Sequence, residues 1–218
     1  MLGPLRMSEE SLESFDPLDY GNIAAGVVRA LLSREAVETE TLAPFEGAGI
    51  YALYYRGPFE AYRAISGARC RLPIYVGKAV PAGARKGADG LAPRAGRVLY
   101  NRLRQHRATI EQAENLIPSD FKCRFLVVKE VWIPLAEQVL VNQFKPVWNT
   151  VLDGFGNHPP GSGRRAMRRP RWDIVHPGRE WAARLEARED AEAILAEVRA
   201  HLARSGEDRS RRLAQDDG

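Results

Sequence analysis

The chain is poor in cysteine: Cys70 and Cys123 are its only two in 218 residues. With no CxxC spacing they offer neither a zinc motif nor a disulfide framework. Both read as small buried apolar residues, and a reducing cytoplasm is the expected compartment. Long apolar runs are also missing, so nothing approaches the ~18 residues of a membrane span. Met1 to Glu10 lacks the basic-then-apolar order of a secretion signal. No internal repeat is visible. Acidic residues are scarce in one place above all. Between residues 164 and 179, Arg164, Arg165, Arg168, Arg169, Arg171 and Arg179 face the single acid Asp173, a net +5.

Hydrophobic residues make up 44% of the chain, enough to bury a core, and charged residues 28%. The formal net charge of +4 would mean little if spread evenly. The arginine-rich stretch is therefore the feature that points to a polyanion.

The residue pattern predicts an α/β (α+β) fold: a small, mainly antiparallel three-stranded sheet flanked by helices, with helical and basic extensions. Residues 1–16 are expected to be disordered. A core spans 17–150, with an N-terminal helix capped by Asn22 and ending near Ser33. Gly49–Tyr55 reads as a strand that stops at Arg56-Gly57-Pro58, and Leu72–Gly77 reads as a second. The Gly-, Ala- and Pro-rich residues 79–93 form a loop carrying Arg85 and Lys86. Arg94–Arg107 reads as a helix and Lys122–Val131 as the third strand. Pro134 opens a helix that Lys145-Pro146 ends near Phe144. Residues 151–204 form a basic segment and a last amphipathic helix carrying Trp181, Leu185, Ile194 and Leu202. Residues 205–218 read as a disordered tail.

Hydrolysis of a phosphodiester needs a base for water, a Lewis acid, a fixed positive charge and help for the leaving oxygen. Antiparallel pairing would let Tyr51 and Tyr75 project from one face. Arg102 and His106, four apart on a helix, would lie about 6 Å from each other. Glu137 lies in the first turns of the next helix, and Asn149 just past its end.

Gly49-Ile50-Tyr51 followed by Tyr75-Val76-Gly77 resembles the paired signature of the GIY-YIG nuclease superfamily. Arg102, Glu137 and Asn149 follow in the order and elements that resemblance implies, which covers residues 47–150. The finer pattern resembles the type II restriction endonuclease branch that cuts CCGCGG. It comprises the long first connection, Arg and His at i,i+4, Pro-Leu-Ala-Glu opening the Glu137 helix, Gly154–His158, and Trp172-Asp173 through Arg179. Val76 departs from the usual Ile, and the wide strand spacing disfavours a homing nuclease.

The resemblance implies a site-specific, Mg²⁺-dependent DNA endonuclease in a prokaryotic cytoplasm. Tyr51 is the candidate general base, with its pKa lowered by Lys78, Arg102 and metal. Tyr75 would bond the phosphate or the water. Arg102 would grip the scissile phosphate with its planar fork. His106 would donate to phosphate or assist proton transfer. Glu137 would bind one Mg²⁺, and Asn149 would position Glu137 or a phosphate. Lys78 and Arg164, Arg165, Arg168, Arg169, Arg171 and Arg179 would contact DNA, with arginine suited to guanine edges. Double-stranded DNA is the expected partner. A palindrome implies a two-fold homodimer. A cognate DNA methyltransferase is the functional companion, and no membrane is involved.

Each residue also has a plainer reading: strand tyrosines packed in a core, a helix-surface arginine, a structural histidine, a helix-dipole acid, a solvated basic loop. Asp120-Phe121-Lys122 matches half of another nuclease core but lacks a partner acid. Asn157-His158 near Asp153 lacks the ββα context of an HNH site. His158 and His176 stand too isolated for zinc. A repair or homing nuclease, or a DNA- or RNA-binding module that lost its chemistry, are the competing functions.

Overall fold

The computed structural model describes residues 20–81, 96–159 and 167–216, with backbone only at 20–24 and 206–216. In chain order the elements are α1 (Tyr20–Leu32), β1 (Val37–Glu38), β2 (Gly49–Tyr55), β3 (Pro73–Ala79), α2 (Val98–Gln112), β4 (Phe121–Val127), α3 (Ile133–Phe144), α4 (Val147–Thr150), α5 (Arg171–Val175), α6 (Glu180–Ala183) and α7 (Ala191–Asp216). The strands form one antiparallel sheet in the order β1-β4-β2-β3. The fold is thus the expected mixed α/β architecture, with a fourth strand added. β1 is only two residues long, too short to show a period, and it forms because Val37 and Glu38 pair with Cys123 and Lys122.

The uncharged run Gly-Ile-Tyr-Ala-Leu-Tyr-Tyr is suited to a central strand with both faces covered. β2 takes that place, and all seven of its residues are buried. Alternation then divides the core. Tyr51, Leu53 and Tyr55 join Leu99 and Leu103 of α2, Trp148 of α4, Trp172 of α5 and Ile194 of α7. Ile50, Ala52 and Tyr54 join Val28 and Leu31 of α1 and Leu140 of α3. Fully burying a side chain of this size is worth about 1.5–3 kcal/mol. The segment 151–204 therefore shares the core of the sheet through Phe155, Trp172 and Val198. Both cysteines are free and buried, as expected.

Several boundaries differ from expectation. The described chain is already helical at Tyr20, so Asn22 lies inside α1 and is not its cap. The second helix is described from Val98, Arg94 lying outside the described residues, and continues to Gln112 because Ile110 still faces the core. The third strand ends at Val127 rather than Val131. The last helix is two: α6 stops at Ala183, and the Asp190 carboxylate restarts the chain by accepting from the Glu192 and Ala193 N–H groups. The tail expected to be disordered is helical to Asp216. Extending a docked helix needs no new nucleation, so a polar, Arg-rich segment suffices. Residues 1–16, Arg85, Lys86, Arg164 and Arg165 lie outside the described residues.

α3 ends as the sequence requires. Lys145, held before Pro146, leaves the right-handed region and adopts a φ of 43°. The chain turns there and delivers α4 to the outer side of β3.

Candidate active site

The β2–β3 register places Tyr51 opposite Gly77 and Leu53 opposite Tyr75. The two phenols therefore share a face, one diagonal step apart, with ring centroids 6.2 Å from each other. A Cβ on Gly77 would stand 2.3 Å from the Tyr51 hydroxyl oxygen. Glycine leaves the room that the phenol occupies, which gives this signature residue a steric reason. Gly49 has a similar one: its Cβ would lie 2.0 Å from the Leu126 carbonyl oxygen of the neighbouring strand.

On α2, Leu99, Leu103, His106 and Ile110 form the buried stripe. His106 thus enters the core as part of a 3.6-residue pattern. Its Nε2 lies 2.6 Å from the Tyr51 hydroxyl. Arg102 borders that stripe and is half-buried. Its guanidinium donates to the Gly156 carbonyl at 3.3 Å, to His158 Nε2 at 3.3 Å and to Gln105 Oε1 at 3.4 Å. Phe155 stacks on the His106 ring at 4.5 Å and meets Tyr75 edge-on at 5.0 Å. Tyr51, Tyr75, Arg102 and His106 are thereby gathered on one side of the sheet.

Glu137 arrives from the other side. α3 packs its buried residues on the opposite face, and Lys78 alternates onto that face. The two meet there, with Lys78 Nζ 2.5 Å from a Glu137 carboxylate oxygen. β3 is an edge strand, with the Lys78–Glu137 pair on one face of it and the tyrosines on the other.

Asn149 does not touch Glu137, contrary to one expectation. Its amide accepts from the Val76 N–H and donates to the Val76 carbonyl, both at 2.8 Å. It occupies the free backbone groups of the edge strand between Tyr75 and Gly77.

Burial dominates the proton affinities. It pushes the Tyr51 phenol well above the ordinary phenolic range, with Tyr75 adding to the rise and Arg102 opposing it. Tyr75 is raised for the same first reason, again against Arg102. His106 is pushed well below the usual histidine value by burial, then by the charge of Arg102 and by His158. The expected lowering of the Tyr51 pKa is thus corrected. Arg102 does act in that direction, but desolvation outweighs it. Tyr51 and His106 form a neutral hydrogen-bonded pair.

Of the four described arginines of the basic stretch, three are engaged by the protein itself. Arg179 is 3% exposed. It forms a two-pronged ion pair with Asp173 at 2.5 Å and donates to the carbonyls of Gly154, Phe155 and Asn157. That burial removes it from the expected DNA contacts. Arg169 donates to the carbonyls of Ala182 and Ala183 at the end of α6. Arg171 is held by Glu189 and Glu197. Arg168 is exposed. A cleft of about 640 Å³ lies among Arg168, Arg169, Arg171 and Arg188, away from the tyrosines.

Sequence reasoning gave no role to Phe155, Gly156 or His158, all of which touch the cluster. Their signal was the run Gly154–His158 itself, whose glycines permit close backbone approach.

Residues 43–202, nearly three quarters of the chain, match the family model described as the Eco29kI GIY-YIG domain. The chain belongs to this family. The Eco29kI GIY-YIG match runs from before β2 into α7, so it takes in both the tyrosine cluster and the Asp173–Arg179 pair. Membership makes the protein a restriction-type nuclease of the GIY-YIG group. No match is found among curated proteins. No described helix is long and apolar enough to cross a membrane.

Proposed function

We propose that the chain is a type II restriction endonuclease that hydrolyses double-stranded DNA at a short G·C-rich palindrome such as CCGCGG, giving 5′-phosphate and 3′-hydroxyl ends. The observation that carries this reading is the gathering of Tyr51, Tyr75, Arg102 and His106 within an Eco29kI GIY-YIG domain.

In this reading Tyr51 is the general base, working as a relay. Its oxygen takes a proton from water while its own proton passes to His106 Nε2, so no bare phenolate has to persist in a buried site. The neutral forms that burial favours on both groups suit the start of that transfer. The incoming phosphate supplies negative charge against which a protonated His106 is tolerable. Arg102 stabilises charge growing on the phosphate, and Tyr75 orients the water.

Mg²⁺ suits the residues present. Glu137 is a hard oxygen donor, partly exposed and already holding a cation, the Lys78 ammonium. Among the described residues there is no group of three or more His, Cys, Asp or Glu able to form a protein cage. Glu137 would hold one Mg²⁺ with waters and phosphate oxygens as the other ligands, and the ion would supply Lewis acidity. Lys78, once released, would reach phosphate. Arg168 would contact the DNA backbone. A palindromic target implies a homodimer with one site per strand, in a cell whose methyltransferase protects the same sequence.

The test is incubation with plasmid in Mg²⁺ and then in EDTA. Discrete fragments that need Mg²⁺ support the reading; retarded, uncut DNA would instead mark a binding module. Glu137→Ala should bind without cutting, and cutting by that variant would remove Glu137 from the metal site.

A further inference from the structure

We propose that Arg179, acting with Asp173, is a positioning residue of the active site, holding the Gly154–His158 loop as a backbone cradle for Arg102 and His106. The inference rests on the nuclease reading for its functional meaning, but the geometry stands by itself.

The Arg179 side chain is almost fully enclosed, between the Trp172 and Trp181 rings at 4.7 and 4.8 Å. Enclosing a guanidinium is costly unless every donor finds a partner. Here the partners are two carboxylate oxygens and the carbonyls of Gly154, Phe155 and Asn157, at 2.9 to 3.3 Å. Three of the five donor targets thus lie on one loop. A lysine, with one compact ammonium, cannot span them.

The outer side of the same loop makes the active-site contacts. Between the Phe155 and Asn157 carbonyls held by Arg179, the Gly156 carbonyl accepts from Arg102. His158 Nε2 accepts from the other end of the same guanidinium. Arg102 only donates, so His158 Nε2 is the acceptor in this contact. Phe155 lies flat against His106 at an interplanar angle of 14°. Gly156 lets the loop come this close: a Cβ there would stand 2.8 Å from an Arg102 nitrogen and 3.2 Å from the Tyr75 hydroxyl. The Asp173–Arg179 pair is therefore two contacts from the phosphate-facing guanidinium and two from the relay histidine.

The loop is anchored from behind as well. The Pro177 carbonyl accepts from the Glu114 N–H just past α2, at 2.8 Å. The turn before Arg179 is thereby fixed to the helix that carries Arg102 and His106.

The experiment compares Arg179→Lys with wild type by circular dichroism, by single-turnover cleavage over a range of DNA concentrations, and by ¹⁵N NMR of the Arg102 Nε–H and His106 ring signals. The expected result is a folded variant whose cleavage rate falls about tenfold to hundredfold. Half-saturation by DNA should stay within about twofold, and the Arg102 and His106 signals should shift. His158→Gln, which keeps an acceptor but removes the imidazole, should move the Arg102 signal alone. A folded Arg179→Lys with unmoved signals overturns the proposal, whatever happens to cleavage. Should Arg179→Lys fail to fold, Asn157→Pro, which removes the Asn157 N–H that the Gly154 carbonyl accepts and so alters the loop while leaving both side chains of the buried pair in place, must shift the same signals or the proposal falls. If wild type cuts no DNA, the nuclease reading fails while the NMR comparison still decides the positioning role.

Discussion

Gly77→Ala is the most discriminating single change at the tyrosine pair. The added methyl carbon would lie 2.3 Å from the Tyr51 hydroxyl oxygen, where real contacts stay above 3.0 Å. The phenol must therefore move by at least about 0.7 Å. It has little freedom to do so, being fully buried among Tyr75, His106 and the sheet. The first loss is the 2.6 Å hydrogen bond to His106. Misplacement by about 1 Å can cost 10²-fold in rate, so a fall of about tenfold to hundredfold is expected, or about 1.4–2.8 kcal/mol in the barrier. Overpacking itself should cost about 1–3 kcal/mol of stability, lowering Tm by about 2–12 °C. Single-turnover cleavage of a cognate duplex, beside a thermal melt and a Tyr51→Phe control, measures both. A Gly77→Ala protein that cuts at the wild-type rate while Tyr51→Phe is inactive would refute the claim that the hydroxyl position matters.

Four further outcomes are expected. Burial lowers the pKa of His176 to about 3 and also lowers that of His106; an unfolded histidine titrates near about 6.5. The unfolded state therefore takes up protons first, and stability that is complete above pH ~6.5 should be lost toward pH ~3 by about 1.4 kcal/mol per unit for His176, with His106 acting in the same direction. Urea unfolding that gives the same free energy at pH 6.5 and 4.5 would contradict this. Asn149→Ala leaves the Val76 N–H and carbonyl without partners and should cost about 1–3 kcal/mol, along with cleavage rate; an unchanged melting curve would show that water replaces the amide freely. Arg168→Ala should weaken DNA binding across sequences and reduce the salt slope by about 1, with no change in Tm. Arg171→Ala should do the reverse, destabilising the α5–α7 junction that Glu189 and Glu197 hold; equal effects of the two variants in a salt titration would remove the distinction.

Local pattern made much of the chain legible before folding. β2 and β3 followed from runs of β-favouring residues, and α3 from Pro134 at one end and Lys145-Pro146 at the other. The run Arg94–Arg107 located α2, but only the fold shows that its buried stripe continues to Ile110 and takes in His106. β1 was illegible because two residues carry no period. The break between α6 and α7 was missed because the apolar positions 181, 185 and 194 continue in a loose helical rhythm, whereas the Asp190 side chain decides where the helix starts.

By itself the sequence determined which side chains could meet: two signature tyrosines on paired strands, and an arginine and a histidine one helical turn apart, each fixed by a repeat of two or of 3.6. It also carried enough of the family pattern to imply a nuclease. Only the tertiary structure decided what charge each group bears and what each arginine is for. Proton affinity depends on solvent excluded from all sides, and burial at Tyr51 overrode the nearby positive charge that composition suggested. An arginine's partners come from segments distant along the chain. Arg179, a basic residue in a basic stretch, was therefore found at the centre of a buried network, with Asp173 and three carbonyls around it.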